Sequence, residues 1–216
     1  QAARRYAKIA GAVDVDRVIN LFFLGNDIVD NTEMDRRMRP NRPGPQHLPT
    51  VNVWGWIQGK SMLAAWANVA IARAMTSRQS HAGEGLATML TMWSDRGKWS
   101  LDRALPKTYE ALEELKETAA AHNDPLMVVV VPPGWAVDPP ALQTLLQQFN
   151  IAGTPTDAPR QAVVAALAQR QIPTCDLWDA FTQAAKDHDT AFLRFDGHWN
   201  REGHRIAAEE IGRAHV

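Results

Sequence analysis

Apolar and polar positions fall into blocks whose period alternates between helix and strand. Gln1 to Ala10 sets Ala2, Ala3, Tyr6, Ala7 and Ala10 along one helical face. Gly11 and the Asp14-Val15-Asp16 turn lead into a strand over Arg17 to Leu24, whose apolar run Leu21-Phe22-Phe23-Leu24 stops on Gly25-Asn26-Asp27. Such a run predicts a strand buried on both faces of a parallel sheet. Thr108 to Ala121 predicts an amphipathic helix, with Leu112, Leu115 and Ala119 opposite Glu113, Glu114, Lys116 and Glu117. Leu126 to Val131, almost pure valine and closed by Pro132-Pro133-Gly134, predicts a second buried strand. Helices are expected over Asp138 to Phe149, Pro159 to Arg170 and Asp179 to Lys186, with a short strand holding Cys175 over Ile172 to Trp178. Phe192 to Phe195 is a short extended approach to Asp196-Gly197-His198-Trp199-Asn200. Arg201 to Ala214 closes the chain as a helix capped by Asn200 and burying Ile206, Ala207 and Ile211. The alternation predicts an α/β fold, a parallel sheet with helices on both faces.

One region breaks the rhythm. From Asp30 to Pro49 the chain is polar, arginine-rich and broken by prolines, which predicts an exposed loop. Val51 to Ile57 carries Trp54 and Trp56, and Leu63, Trp66, Ala67, Ala70, Ile71 and Ala74 form a helical stripe. Residues from about 30 to 106 therefore read as a Trp-rich insertion within a single domain. Its tryptophans are expected to fill a small core of their own, the alternative being a lid or an acyl- or sugar-binding surface.

Composition narrows the partners. At 216 residues the chain suits one domain with a sizeable core. A formal net charge of -1 supplies no electrostatic reason to bind nucleic acid or an anionic membrane. The one cysteine, Cys175, excludes an internal disulfide, and no Cys/His spacing resembles a zinc site. The apolar stretch Met62 to Ala74 is interrupted by Asn68 and Arg73 and is too short to span a bilayer. The first helix opens without a capping residue, which predicts a chain cut from a longer one.

The candidate chemistry lies at the two polar clusters. An imidazole at His198 is a competent general base, and Asp196 can orient it across Gly197. Asn26, at a strand end, offers an amide donor to a developing oxyanion. The same residues admit plainer roles: a loop ion pair for Asp196 and His198, and turn formation for Asn26 and Asp27. A metal site of Asp196, His198 and His204 is a further alternative. No nucleophile is evident: Ser61, Ser94 and Ser100 lie in the insertion, and Cys175 reads as core.

Phe23-Leu24-Gly25-Asn26-Asp27 followed by Asp196-Gly197-His198-Trp199-Asn200-Arg201-Glu202-Gly203-His204 resembles the third and fifth sequence blocks of the SGNH (GDSL-type) hydrolases. The Asp-Gly-His-Trp-Asn form looks like the subgroup related to bacterial ester hydrolases and polysaccharide O-acetyltransferases. The resemblance implies a three-layer α/β/α flavodoxin-like parallel sheet, here lacking its first strands. It implies serine-dependent hydrolysis or transfer of an acyl group on small or carbohydrate esters, with no cofactor. His198 maps to the general base, Asp196 to its orienter and Asn26 to the oxyanion donor. Two departures stand out: Gly25 sits directly before Asn26, and Asp196 is two residues from His198. The Gly-Asp-Ser block with the nucleophile is missing, so the serine is expected upstream of Gln1 and this chain alone is expected to be inactive. Without the first strands the edge of the Leu21 to Leu24 strand would lie open, so an upstream segment, a partner chain or a swapped copy is expected to cover it. The resemblance leans towards a bacterial extracytoplasmic setting. The alternative function is a non-catalytic SGNH-like domain binding a carbohydrate or a protein.

Overall fold

The computed structural model describes residues 2–10, 12, 13, 15–31, 81–187, 191–193 and 197–215. Asp196, Ser61, Trp54, Trp56, Trp66 and the expected helical stripe from Leu63 to Ala74 lie outside the described residues. The elements are α1 (Ala2–Ile9), β1 (Val18–Phe23), α2 (His81–Met92), α3 (Lys98–Ala121), β2 (Leu126–Val131), α4 (Pro139–Gln148), α5 (Ala158–Gln169), β3 (Thr174–Asp176), α6 (Trp178–Lys186) and α7 (Arg201–His215).

Three parallel strands stand in the order β1-β2-β3. Leu21 pairs with Val129, and Val129 in turn with Cys175. Alternation along the valine strand sorts the core into two layers. Val128 and Val130 join Phe22, Leu24, Leu112, Leu142, Leu146, Val163 and Leu167 on the face covered by α3, α4 and α5. Met127, Val129 and Val131 join Cys175, Phe181 and Ala207 on the face covered by α6 and α7. The result is the α/β fold expected from the block pattern, with helices on both faces of the sheet.

β1 departs from expectation. It is not buried on both faces: Ile19 and Leu21 are 42% and 54% exposed. The helices on their side of the sheet pack over β2 and β3, so the odd-numbered side chains of β1 are left bare until Phe23. β1 is also the sheet edge among the described residues. Val18 and Leu24 donate their N–H groups inward, to Pro125 and Val131, so the odd-numbered N–H groups face outward. No described residue supplies the cover expected there. A groove of about 280 Å³ runs beside this edge, lined by Ala3, Arg5, Leu21, Asp27, Asp30 and Leu115 among others.

Two further expectations are corrected. Helix α3 begins ten residues before Thr108, at Lys98, and passes through Pro106. A proline inside a helix costs about 3 kcal/mol, but Leu101, Ala104 and Leu105 on this turn are buried in the main core, and each large apolar side chain so buried returns about 1.5–3 kcal/mol. Among the described residues of the expected insertion, Trp93 joins the main core rather than a core of its own. Trp93, fully buried, packs with Leu90 and Met92 in the same layer as Phe22 and Val130. It stacks on Trp178 at 5.8 Å and meets Trp135 edge-on at 5.4 Å. Trp99, by contrast, is 67% exposed under the Arg103 guanidinium.

Candidate active site

Asn26 stands one turn beyond β1, at the carboxyl end of the sheet. The turn is closed by two devices. Gly25 lies against the folded-back ring of Phe23, where an added Cβ would sit 2.4 Å from the ring carbon Cε1. Asp27 Oδ2 accepts the Phe23 N–H at 2.8 Å, which satisfies the last outward donor of the edge. Helix then runs over residues 27–31. Asn26 is exposed, and its Nδ2 donates to Asp30 Oδ2 at 2.9 Å. Burial pushes the Asp27 carboxyl up to about 6, with the Phe23 N–H pulling it down and Asp30 pushing it further up. Asp27, expected only as a turn former, therefore braces the residue beside it at an electrostatic cost.

Of the second cluster, residues 197–200 are described, and they pair with residues 191–193 as the two arms of a short hairpin. Phe192 and Trp199 form an antiparallel bridge. Leu193 N donates to His198 O at 2.7 Å, and Asn200 N to Ala191 O at 3.1 Å. Gly197 takes φ +71°, a left-handed conformation that suits glycine at the hairpin turn. The Asn200 side chain then caps α7 as expected: Oδ1 accepts from Glu202 N at 2.8 Å and Gly203 N at 3.0 Å. Gly203 is packed so tightly against Ala191 that a Cβ there would lie 2.2 Å from its carbonyl oxygen.

Aromatic contacts dock this hairpin on the sheet. Phe181, fully buried at α6, stacks on Trp199 at 5.5 Å and tilts against Phe192 at 5.2 Å. Phe192 lies over Gly134, beyond the carboxyl end of β2, where a Cβ would come within 2.8 Å of the ring. Phe23, three residues before Asn26, packs into the same apolar cluster as Phe192 and Trp199. Asn26 and His198 thus emerge at the same end of the sheet, tied to one cluster. This is where open parallel α/β sheets place their chemistry. The aromatic clamp was absent from the sequence reading. Its signal lay in Phe181, Phe192 and Trp199 flanking the polar residues at spacings that only the hairpin brings together.

The remaining candidates take structural places. Ser94 is buried and its Oγ donates to Thr91 O at 2.9 Å. Ser100 lies in the first turn of α3. Cys175 is buried in β3, and burial pushes its thiol up, the opposite of what a thiolate nucleophile needs. His204 meets Trp199 edge-on at 5.6 Å. Among the described residues, no three His, Cys, Asp or Glu side chains are grouped to hold a metal ion, and no helix is long and apolar enough to cross a membrane.

The family model for an SGNH hydrolase-like domain, described as that of the acetyltransferase AlgX, matches residues 90–215, more than half of the chain. The matched span takes in α3, β2, β3, the His198 hairpin and α7, and starts after Asn26. Neither the curated proteins nor the solved structures include a match.

Proposed function

The chain belongs to the SGNH hydrolase-like family of the AlgX acetyltransferase type, and we propose that it forms the base-bearing part of a serine-dependent ester hydrolase or O-acyltransferase acting on small or carbohydrate esters. In this reading His198 takes the proton of a serine as its Oγ attacks the acyl carbon. Asp196 holds the imidazole, and Asn26 donates to the oxyanion. The acyl group then passes to water or to an acceptor hydroxyl.

The observation that carries the reading is the docking of the His198 hairpin. Phe192 over Gly134 and Trp199 on Phe181 support it, since they hold the His198-bearing arm at the carboxyl end of the sheet, the end from which the Asn26 turn also emerges. The serine arrives on a strand laid along the outer edge of β1. The bare side chains of Ile19 and Leu21 favour that position.

The test is turnover of p-nitrophenyl acetate by the intact protein, expected to fall about 100-fold or more in His198→Ala and to be indifferent to chelator. Undiminished turnover in that variant removes His198 from the mechanism, and loss with chelator favours the metal alternative. One observation favours the second reading, a non-catalytic carbohydrate- or protein-binding domain: the Asn26 amide is engaged by Asp30. Absence of turnover with all esters in the intact protein would select it.

A further inference from the structure

The two positions that face each other across the hairpin beyond the Phe192–Trp199 bridge are Leu193 and His198, joined by the Leu193 N–H to His198 O bond at 2.7 Å. Side chains alternate along each arm, and directly opposed residues point to the same face, with Cβ atoms about 5 Å apart. Phe192 and Trp199 point into the core. Leu193 and His198 therefore project together from the other face. Both are exposed, Leu193 by 47%. A bare leucine is unremarkable by itself; one held beside a candidate base on a clamped hairpin is not. The clamp leaves the pair little freedom, since Gly203 against the Ala191 carbonyl and Asn200 N on that same oxygen pin the first arm.

We propose that Leu193 is the apolar wall of the subsite for the alcohol portion of the ester, and so sets which alcohols the site releases or accepts. The assignment rests on His198 as general base. As the bond from serine Oγ to the acyl carbon forms, the imidazole takes the Oγ proton. As the carbon–oxygen bond to the alcohol breaks, the imidazolium returns that proton to the departing oxygen. The alcohol oxygen must lie within hydrogen-bond reach of the ring at that moment, so its carbon skeleton lies over the residue beside the ring. The acyl oxygen turns the other way, towards the oxyanion donors. A leucine next to His198 thus meets the alcohol and not the acyl chain. Its partner chemistry is a carbon face: an aryl or alkyl alcohol, or the C–H face of a sugar ring.

The experiment compares 1-naphthyl acetate, ethyl acetate and 1-naphthyl butyrate in the intact protein. Leu193→Ala is expected to lower kcat/KM for 1-naphthyl acetate about 10-fold, to change ethyl acetate by less than about twofold, and to leave the acetyl-to-butyryl ratio unaltered. Leu193→Met restores the naphthyl preference. An equal fall for both acetates, or a shift in acyl-length preference instead, overturns the assignment. If the unaltered protein hydrolyses no ester, the catalytic reading fails first. Binding of 1-naphthol then decides the subsite, by methyl shifts at Leu193 together with ring shifts at His198: binding that is lost in Leu193→Ala upholds it, and no binding to the unaltered protein overturns it.

Discussion

Asp27 offers a perturbation whose sign and size can be worked from the structure. Its carboxylate accepts the Phe23 N–H at 2.8 Å, yet burial raises its pKa from the ordinary 3.8 to about 6. The native state therefore holds the Asp27 proton more tightly than the unfolded chain does. Stability from this group is fully present below about pH 4 and is lost as pH rises through 6. A displacement of that size corresponds to about 3 kcal/mol; Asp27 is only partly buried, and solvent screening reduces the realised value to roughly half, about 1.5 kcal/mol. Asp27→Asn keeps an oxygen to accept from Phe23 and removes the charge. The variant is expected to match the parent in urea unfolding at pH 4 and to exceed it by about 1.5 kcal/mol at pH 7. Titrating groups other than Asp30, whose charge is felt by Asp27, are common to both proteins and cancel in the difference. A gap that does not change with pH, or a parent more stable at pH 7, would refute the argument that burying this charge is what bracing the Asn26 turn costs.

Gly134→Ala places a Cβ 2.8 Å from the Phe192 ring and forces the hairpin off the sheet; a loss of about 1–3 kcal/mol in urea unfolding is expected, and unchanged stability would show that the clamp yields freely. Cys175, buried with its thiol pushed up, should react with a thiol-specific disulfide reagent only as fast as the protein unfolds; rapid labelling of the native protein would contradict its burial.

The strands and most helices were legible because their signals are local. Leu126 to Val131 is a strand in any context that buries it, and Asn200 before a helical stripe is a cap whatever lies beyond. Local pattern and structure part company where tertiary contacts decide. Pro106 reads as a boundary, yet the burial of Leu101 and Leu105 carries α3 through it. Trp93 reads as part of an insertion, yet Trp135 and Trp178, more than forty residues away in sequence, draw it into the main core. Phe22 and Leu21 look alike in sequence, but only the number of layers over each face decides that one is buried and the other bare. In the site, Asn26 and His198 were visible as polar residues ending apolar runs. Leu193 was not, because a leucine in an apolar stretch carries no mark until a cross-strand pairing sets it beside an imidazole.

The two halves of the candidate site are held by different physics, and this bears on how the site is assembled. The Asn26 turn is fixed by backbone closure: Gly25 admits the Phe23 ring, and Asp27 takes the Phe23 N–H. The His198 hairpin is fixed by aromatic packing on Phe181 and Gly134. The two halves share the apolar cluster containing Val129 and Val131, against which Phe23, Phe192 and Trp199 all pack. Phe23 is thus common to both halves, since its side chain packs on the cluster that also carries the hairpin and its N–H is the anchor of the Asn26 turn. It is also the last residue of the edge strand. The Asp27 carboxylate already occupies its outward donor. The edge that ends at Phe23 is therefore closed by the same turn that carries Asn26.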